Sequence, residues 1–127
     1  MAKPTVAIVG ASMDRSKYGN KSVRAHLAAG YDVYPVNRRA DEIEGLKVYR
    51  SVQEIPSALT RVSMYVPPEV GLKLLDEIAE AQPEEVFFNP GSESDVLLAK
   101  ARQLGLPARA ACSIVDLGLS PRQFPDQ

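Results

Sequence analysis

Thr5-Val6-Ala7-Ile8-Val9-Gly10-Ala11-Ser12 is an uncharged run of apolar and β-branched residues that breaks at a glycine and a serine. A continuous apolar run of this length reads as a strand buried on both faces, which is the habit of a parallel sheet. Gly10 allows a tight turn where a side chain would collide. Met13 to Tyr18 form a polar stretch, Gly19-Asn20 follow, and a helical pattern then begins. Strand, glycine turn and helix start together make an anion-binding arrangement, because the first amides of a helix are unpaired and carry a partial positive charge. The dinucleotide pattern G-x-G-x-x-G is not met, since Ser12 and Arg15 stand where the second and third glycines would fall. The loop instead carries Arg15, Ser16 and Lys17, and cations beside a helix start favour an anion.

Further along, the pattern predicts a helix over about 20–29, with Asn20 as N-cap and Gly30 as its stop. Val23 and Leu27 would share the inner face, and His26 would sit at a partly solvated position. A second strand is expected over 32–37, with Pro35 near its end. Lys47-Val48-Tyr49 reads as a short extended piece, and Ser51 can cap a single turn over 52–55. A third strand covers 61–66 and stops at Pro67-Pro68, where a helix starts with Val70, Leu74, Leu75 and Ile78 as its buried stripe. A fourth strand covers 85–89. The next helix is capped by Ser92 or Ser94, carries Val96, Leu97, Leu98, Ala101 and Leu104 inward, and ends at Gly105. A weak, alanine-rich fifth strand covers 107–112, Ile114, Val115 and Leu117 offer packing, and 120–127 reads as loose. This alternation implies an α/β fold of three layers, Rossmann-like, with a five-stranded parallel sheet in the order 3-2-1-4-5 and the crevice between strands one and four.

At 127 residues the chain suits one domain, spanning 1–127, with a real core and no need of disulfides. A net charge of −1 gives no bulk electrostatic case for nucleic acid or a membrane surface. Tryptophan is absent, which weighs against base-stacking platforms. A single cysteine fits a reducing, cytoplasmic setting. Met1-Ala2-Lys3-Pro4 lead straight into the first strand, so neither a signal peptide nor a membrane span is expected. A homodimer is the ordinary default for a domain of this size.

The turn residues gather at four strand ends: Gly10, Ala11 and Ser12; Asn37, Arg38 and Arg39; Val66, Pro67 and Pro68; Asn89, Pro90, Gly91 and Ser92. In an open parallel sheet these ends lie along one rim, where ligands bind. Turn residues are also what strands ordinarily end in. The second end is the most diagnostic. A free ribose diol usually meets an acid there, whereas two arginines match a ribose that carries a phosphate. NADP and coenzyme A both carry one, and the arginines do not separate them.

In sequence, Val9-Gly10-Ala11-Ser12, Gly19-Asn20, 30–37, Tyr65-Val66-Pro67-Pro68-Glu69 and 89–94 resemble the small stand-alone coenzyme A-binding domain proteins, which are related to the N-terminal domain of the succinyl-CoA synthetase α subunit. The resemblance runs from Val6 to about Cys112. It implies that the first turn holds the pyrophosphate, through Gly10, Ala11, Ser12 and the stretch from Arg15 and Ser16 through Tyr18, Gly19 and Asn20. It places Asn37, Arg38 and Arg39 by the adenosine and its phosphate, and Val66, Pro67 and Pro68 by the adenine and pantetheine. Asn89, Pro90, Gly91 and Ser92 would then line the pantetheine path. The family commonly has Asn-Pro after the second strand, where this chain has Asn37-Arg38. The synthetases carry Asn-Cys-Pro-Gly after the fifth strand, where this chain keeps only Cys112. Cys112 falls where the thiol would arrive; as a residue it is ordinarily a small buried apolar group.

The sequence offers no paired carboxylates with a base, no metal-ligand cluster and no nucleophile elbow. The expectation is therefore a non-catalytic protein binding coenzyme A or an acyl-CoA, with no catalytic and no metal-ligating residues. The alternative is a small NADP-linked oxidoreductase, or a CoA-dependent enzyme component acting with a partner.

Overall fold

The computed structural model describes residues 3–127; Met1 and Ala2, which the sequence places ahead of the first strand, lie outside the described residues. In chain order the elements are β1 (Thr5–Val9), α1 (Tyr18–Ala28), β2 (Asp32–Val36), β3 (Glu42–Ile43), β4 (Leu46–Lys47), β5 (Arg61–Met64), α2 (Pro68–Ala81), β6 (Glu85–Phe88), α3 (Asp95–Gln103), β7 (Ala108–Ala110) and α4 (Ser113–Asp116). Short 3-10 turns cover Val52–Glu54 and Pro121–Gln123.

The uncharged run becomes the centre of the sheet. Every residue of β1 is buried, and β1 pairs in parallel with β2 on one side and β5 on the other. Alternate side chains feed two cores, as the period of two requires. Ala7 and Val9 join Val62, Met64, Val86 and Phe88 beneath Leu75 and Ile78 of α2 and Leu97 and Ala101 of α3. Val6 and Ile8 pack with Val23 of α1, Val33, Ile43 and Val48. The three-layer α/β architecture expected from the alternation is thus present, with helices on both faces.

The strand order is corrected. The five parallel strands run β2-β1-β5-β6-β7, so the segment from Arg61 lies against β1 rather than outside β2. The crevice falls between β1 and β5. The place beyond β2 is taken by Tyr49 alone, which forms a single parallel bridge with Val36. Its amide donates to the Pro35 carbonyl at 2.9 Å, and its carbonyl accepts from the Asn37 amide at 3.1 Å. One bridging residue after a small antiparallel hairpin (β3–β4) leaves no strand-length pattern to read. Because a strand residue points its N and C=O to the same side, Pro35 turns its hydrogen-free nitrogen away from β1 and costs the ladder nothing.

Helix α1 differs from expectation in both its start and its buried face. It begins at Tyr18 after Lys17, and Asn20 lies fully buried inside the first turn rather than at the cap. The inner face runs through Ser22, Val23, Ala25 and His26; Leu27 is 40% exposed and His26 is 0% exposed. The polar residues go inward because partners wait for them: Ser22 Oγ meets His26 Nδ1 at 3.2 Å, and His26 reaches Arg61 of β5. His26 Nδ1 donates to the Ser22 carbonyl at 2.8 Å, and its Nε2 faces Arg61 Nη1 at 3.5 Å. Arg61 in turn lies between the Tyr31 and Phe87 rings and pairs with Glu85 at 3.0 Å and Asp116 at 2.8 Å. The helix ends as expected: Gly30 has φ +88°, and the amides of Gly30 and Tyr31 return to the carbonyls of Leu27 and His26.

In α2, Gly71, Leu75 and Ile78 are buried, while Val70 and Leu74 are only half-buried and belong to the crevice. In α3, Ser94 is the cap, accepting from the Leu97 amide at 3.1 Å. Val96 is 67% exposed, set outward by the same helical register that buries Leu97 and Ala101. Residues 120–127 are docked rather than loose. Ser120 and Gln123 form a reciprocal capping box, Lys21 pairs with Asp126 at 2.6 Å, and the Arg24 guanidinium lies over the Phe124 ring.

Candidate functional site

The site begins with two glycines pressed together. Gly10 has φ +88°, and a Cβ there would lie 2.6 Å from the Tyr65 carbonyl oxygen. A Cβ on Gly19 would collide with the Gly10 carbonyl. The first turn of α1 therefore abuts the backbone that leaves β1, and only glycine permits it. Asn20, the buried neighbour, staples the loop: its Nδ2 donates to the Ser12 carbonyl at 2.9 Å and to Glu44 at 3.1 Å, and its Oδ1 accepts from Arg24 at 2.8 Å. Ser12 Oγ accepts from the Asp14 amide. Asp14 accepts from the amide and hydroxyl of Ser16, which hold its carboxyl below the ordinary range. Arg15 reaches Glu44 at 3.3 Å, and its Nη1 donates to the Gln127 carbonyl at 2.7 Å. Tyr18 is 60% exposed.

Beside this turn lies a cleft of about 390 Å³, within the range of small-molecule sites. Six of the residues singled out from sequence meet there: Gly10, Asn37, Arg38, Arg39, Val66 and Pro67. Asn37 shapes the rim. Its Nδ2 donates to the Ala11 carbonyl at 2.8 Å, and its Oδ1 accepts from the amides of Arg39 and Ala40. This sends the chain round so that both arginines face the opening. Among the described residues neither guanidinium has a hydrogen-bond or ion-pair partner. Arg50, also in the cleft, is committed: it donates to the carbonyls of Asn37 and Ala40 and pairs with Asp41 at 2.6 Å.

The remaining sequence candidates lie outside the cleft lining. Pro68 opens α2 as its first residue. Asn89 is 1% exposed and internally satisfied: Nδ2 donates to Ser63 Oγ at 2.8 Å and the Met64 carbonyl at 2.9 Å, and Oδ1 accepts from the Ser113 amide at 2.8 Å. Ser92 is buried, its amide donating to the Asn89 carbonyl, while Pro90 and Gly91 are exposed. Cys112 is half-buried and precedes α4. Behind this edge, Tyr65 hydroxyl meets Ser113 Oγ at 3.1 Å, and burial pushes its pKa up.

Sequence reasoning missed Arg50, Ser51, Val52, Val70, Leu74 and Glu77, all of which line the cleft. Val70, Leu74 and Glu77 follow the i, i+4, i+7 spacing of one helix face, and a stripe ending in an acid was the available signal. Arg50 and Ser51 reach the cleft only because Tyr49 bridges to β2, and no local pattern announces that.

A glycine turn abutting a helix start, an apolar crevice at the switch point and unpaired arginines at its mouth define a nucleotide-binding α/β domain. Over residues 4–118 the chain matches the family described as CoA binding domain, and it belongs to that family. A conserved hypothetical protein from Pyrococcus furiosus has 36% identity and a TM-score of 0.80, the alignment covering 91% of this chain and 99% of that one. The α subunit of an ADP-forming acetate–CoA ligase II from the same organism is 37% identical over 78 residues, covering 59% of this chain. A dinucleotide-forming acetyl-coenzyme A synthetase 1 from Ca. Korarchaeum cryptofilum, solved with phosphate and ADP, has 30% identity and a TM-score of 0.73 over 84% of this chain and 25% of that one. The chain spans 17% of the length of that acetate–CoA ligase subunit.

The residues fit the family's ligand, coenzyme A. The Gly10–Gly19 contact sets the start of α1 directly against the turn that leaves β1, and the free guanidiniums of Arg38 and Arg39 suit a phosphorylated ribose. Among the described residues no helix is long and apolar enough to cross a membrane, and no group of three or more His, Cys, Asp or Glu is placed to hold a metal ion.

Proposed function

We propose that the chain is a coenzyme A-binding module that presents the coenzyme, or its acyl thioester, without itself catalysing a reaction. The adenosine 3′-phosphate occupies the cleft, with Arg38 and Arg39 on the phosphate. The pyrophosphate lies at the turn from Gly10 to Ser12 and the start of α1, where Arg15, Ser16, Tyr18, Gly19 and Asn20 form the surrounding loop. The pantetheine passes Val66, Pro67 and Pro68 and follows the edge from Asn89 to Ser92 toward Cys112. The acid-free mouth of the cleft, bearing two unpaired arginines, is the observation that carries this reading. The relatives in which this domain is a fraction of a ligase subunit support a further step: the chemistry is performed by another polypeptide that docks on the thiol end.

Calorimetric titration with coenzyme A, dephospho-coenzyme A, NADP and NAD tests it. Coenzyme A should bind where NADP and NAD do not, and dephospho-coenzyme A should bind at least tenfold more weakly than coenzyme A, the scale of one charge-assisted contact. Arg38→Ala should abolish most of that difference. Binding of NADP alone would replace the module with a redox protein, and equal loss of both coenzyme forms in Arg38→Ala would remove Arg38 from the phosphate.

A further inference from the structure

The cleft has a second end. From the rim at Gly10 and Pro67 it runs along α2, past Val70 and Leu74, to Glu77. Ser51 and Val52 of the short turn form the facing wall. Apart from its arginines and Asn37 at the mouth, the walls are chiefly aliphatic, and Glu77 is the only acid that lines them. It is half-buried, and among the described residues no cation lies within ion-pair distance of it, although three arginines line the same cleft. Its helix neighbours are engaged elsewhere: Asp76 faces Lys100 at 3.8 Å, and Glu80 accepts from Gln53 at 2.8 Å. Burial, and then the neighbouring Glu80, push the Glu77 carboxyl upward, partly offset by the Ser51 hydroxyl. A carboxylate in an aliphatic slot with one hydroxyl beside it and no cation gains from a further donor.

A slot with aliphatic walls and one carboxylate among them suits a purine. The two natural classes differ along one edge: adenine carries a 6-amino donor beside an N1 acceptor, and guanine and hypoxanthine carry a 6-oxo acceptor beside an N1–H donor. An ionised carboxylate only accepts. At position 6 it bonds the amino group and repels the oxygen, and a site built around such a bond rejects the analogue that lacks the donor far better than an apolar pocket does.

We propose that Glu77 reads the base of the bound nucleotide, accepting a hydrogen bond from the 6-amino group of adenine and turning away 6-oxo purines. This rests on the adenosine half of coenzyme A occupying the cleft, as argued above. Ser51, on the facing wall, then serves as the residue that steadies the carboxylate.

Adenosine 3′,5′-bisphosphate and inosine 3′,5′-bisphosphate differ only at position 6 and in the proton on N1, and test the assignment by direct titration, with coenzyme A in a parallel arm. The wild-type chain should prefer the adenosine compound by tenfold or more. In Glu77→Gln, whose amide offers donors as well as an acceptor, the preference should fall below about threefold, chiefly through stronger inosine binding. Lys73→Gln, exposed on the same helix, should leave both affinities unchanged. A thermal melt of each variant separates loss of fold from loss of recognition. Coenzyme A binding with an unaltered adenosine preference in Glu77→Gln would overturn the role of Glu77 alone. Failure of the wild-type chain to bind coenzyme A and either bisphosphate would overturn the site reading and the Glu77 assignment with it.

Discussion

Two glycines with the same backbone angle separate two causes of glycine selection. Gly10 and Gly30 both have φ +88°, but a Cβ on Gly30 meets nothing within 4 Å, whereas one on Gly10 would lie 2.6 Å from the Tyr65 carbonyl oxygen. Gly30→Ala should cost about 1–2 kcal/mol, the left-handed penalty alone. Gly10→Ala should add about 1–3 kcal/mol for the collision and should also weaken coenzyme A binding, because β1 and β5 must part to admit the methyl. Urea midpoints with a common m-value check the first, and titration checks the second. His26 carries a pH effect. Burial, first of all, lowers its pKa to about 4 from the ordinary 6.5; the Ser22 carbonyl and Asp116 act the other way, and Arg61 adds to the lowering. The unfolded chain binds this proton below about pH 6.5 while the folded chain resists it. Stability from this group is therefore complete above pH 6.5 and declines as the pH falls toward 4, by roughly 3 kcal/mol in all. Urea unfolding from pH 7.5 to 4.5 should show that slope in the wild-type chain and lack it in His26→Gln.

At the scale of elements, α3 shows how a cap can be tested cleanly. Ser94 accepts from the Leu97 amide, so Ser94→Ala should lower stability by about 1 kcal/mol without touching the cleft. A matching loss of coenzyme A affinity would contradict the placement of the cleft between α2 and the 51–54 turn. The elements themselves were largely legible, because β1, β2, β5, α2 and α3 obey local rules: an apolar run, a proline at a first helical turn, a serine cap. The inner face of α1 was not: it contains Asn20, Ser22 and His26, residues that local pattern assigns to solvent, and Asn20 and His26 go inward to meet partners far away in sequence, while Ser22 meets His26. The same limit governed the site. Gly10, Asn37, Arg38, Arg39, Val66 and Pro67 could be named from strand ends, since strand ends share one rim. Glu77 had only the helix stripe shared with Val70 and Leu74 as a signal, and that stripe does not say which segment faces it. Asn89 falls at a strand end, and the family resemblance puts it on the pantetheine path; its hydrogen bonds to Ser63, Met64 and Ser113 fasten the ends of β5 and β6 to α4 as well.

For the whole molecule, the ligand should act as a structural member. In the proposed placement it would touch β1, the Asn37 loop and α2 together, and coenzyme A at a hundred times its dissociation constant should stabilise the fold by about 2.7 kcal/mol. A thermal melt with and without the coenzyme measures this, and Arg38→Ala should need proportionately more ligand for the same rise. The order of the sheet was the part of the architecture least available from sequence. Counting five strands from 5 to 112 gives the right number, but the outermost position beside β2 is held by Tyr49 through one bridge, and that shifts every later strand by one place. The same edge has a consequence for life in a crowded solution. Parallel sheets grow by adding chain to an open border, and a border grows only where amides and carbonyls alternate without interruption. Here Pro35 offers no amide, and its carbonyl is already taken by Tyr49. A foreign strand arriving at β2 finds no repeating row to copy, so this flank should resist templated aggregation even while the rest of the chain is still assembling.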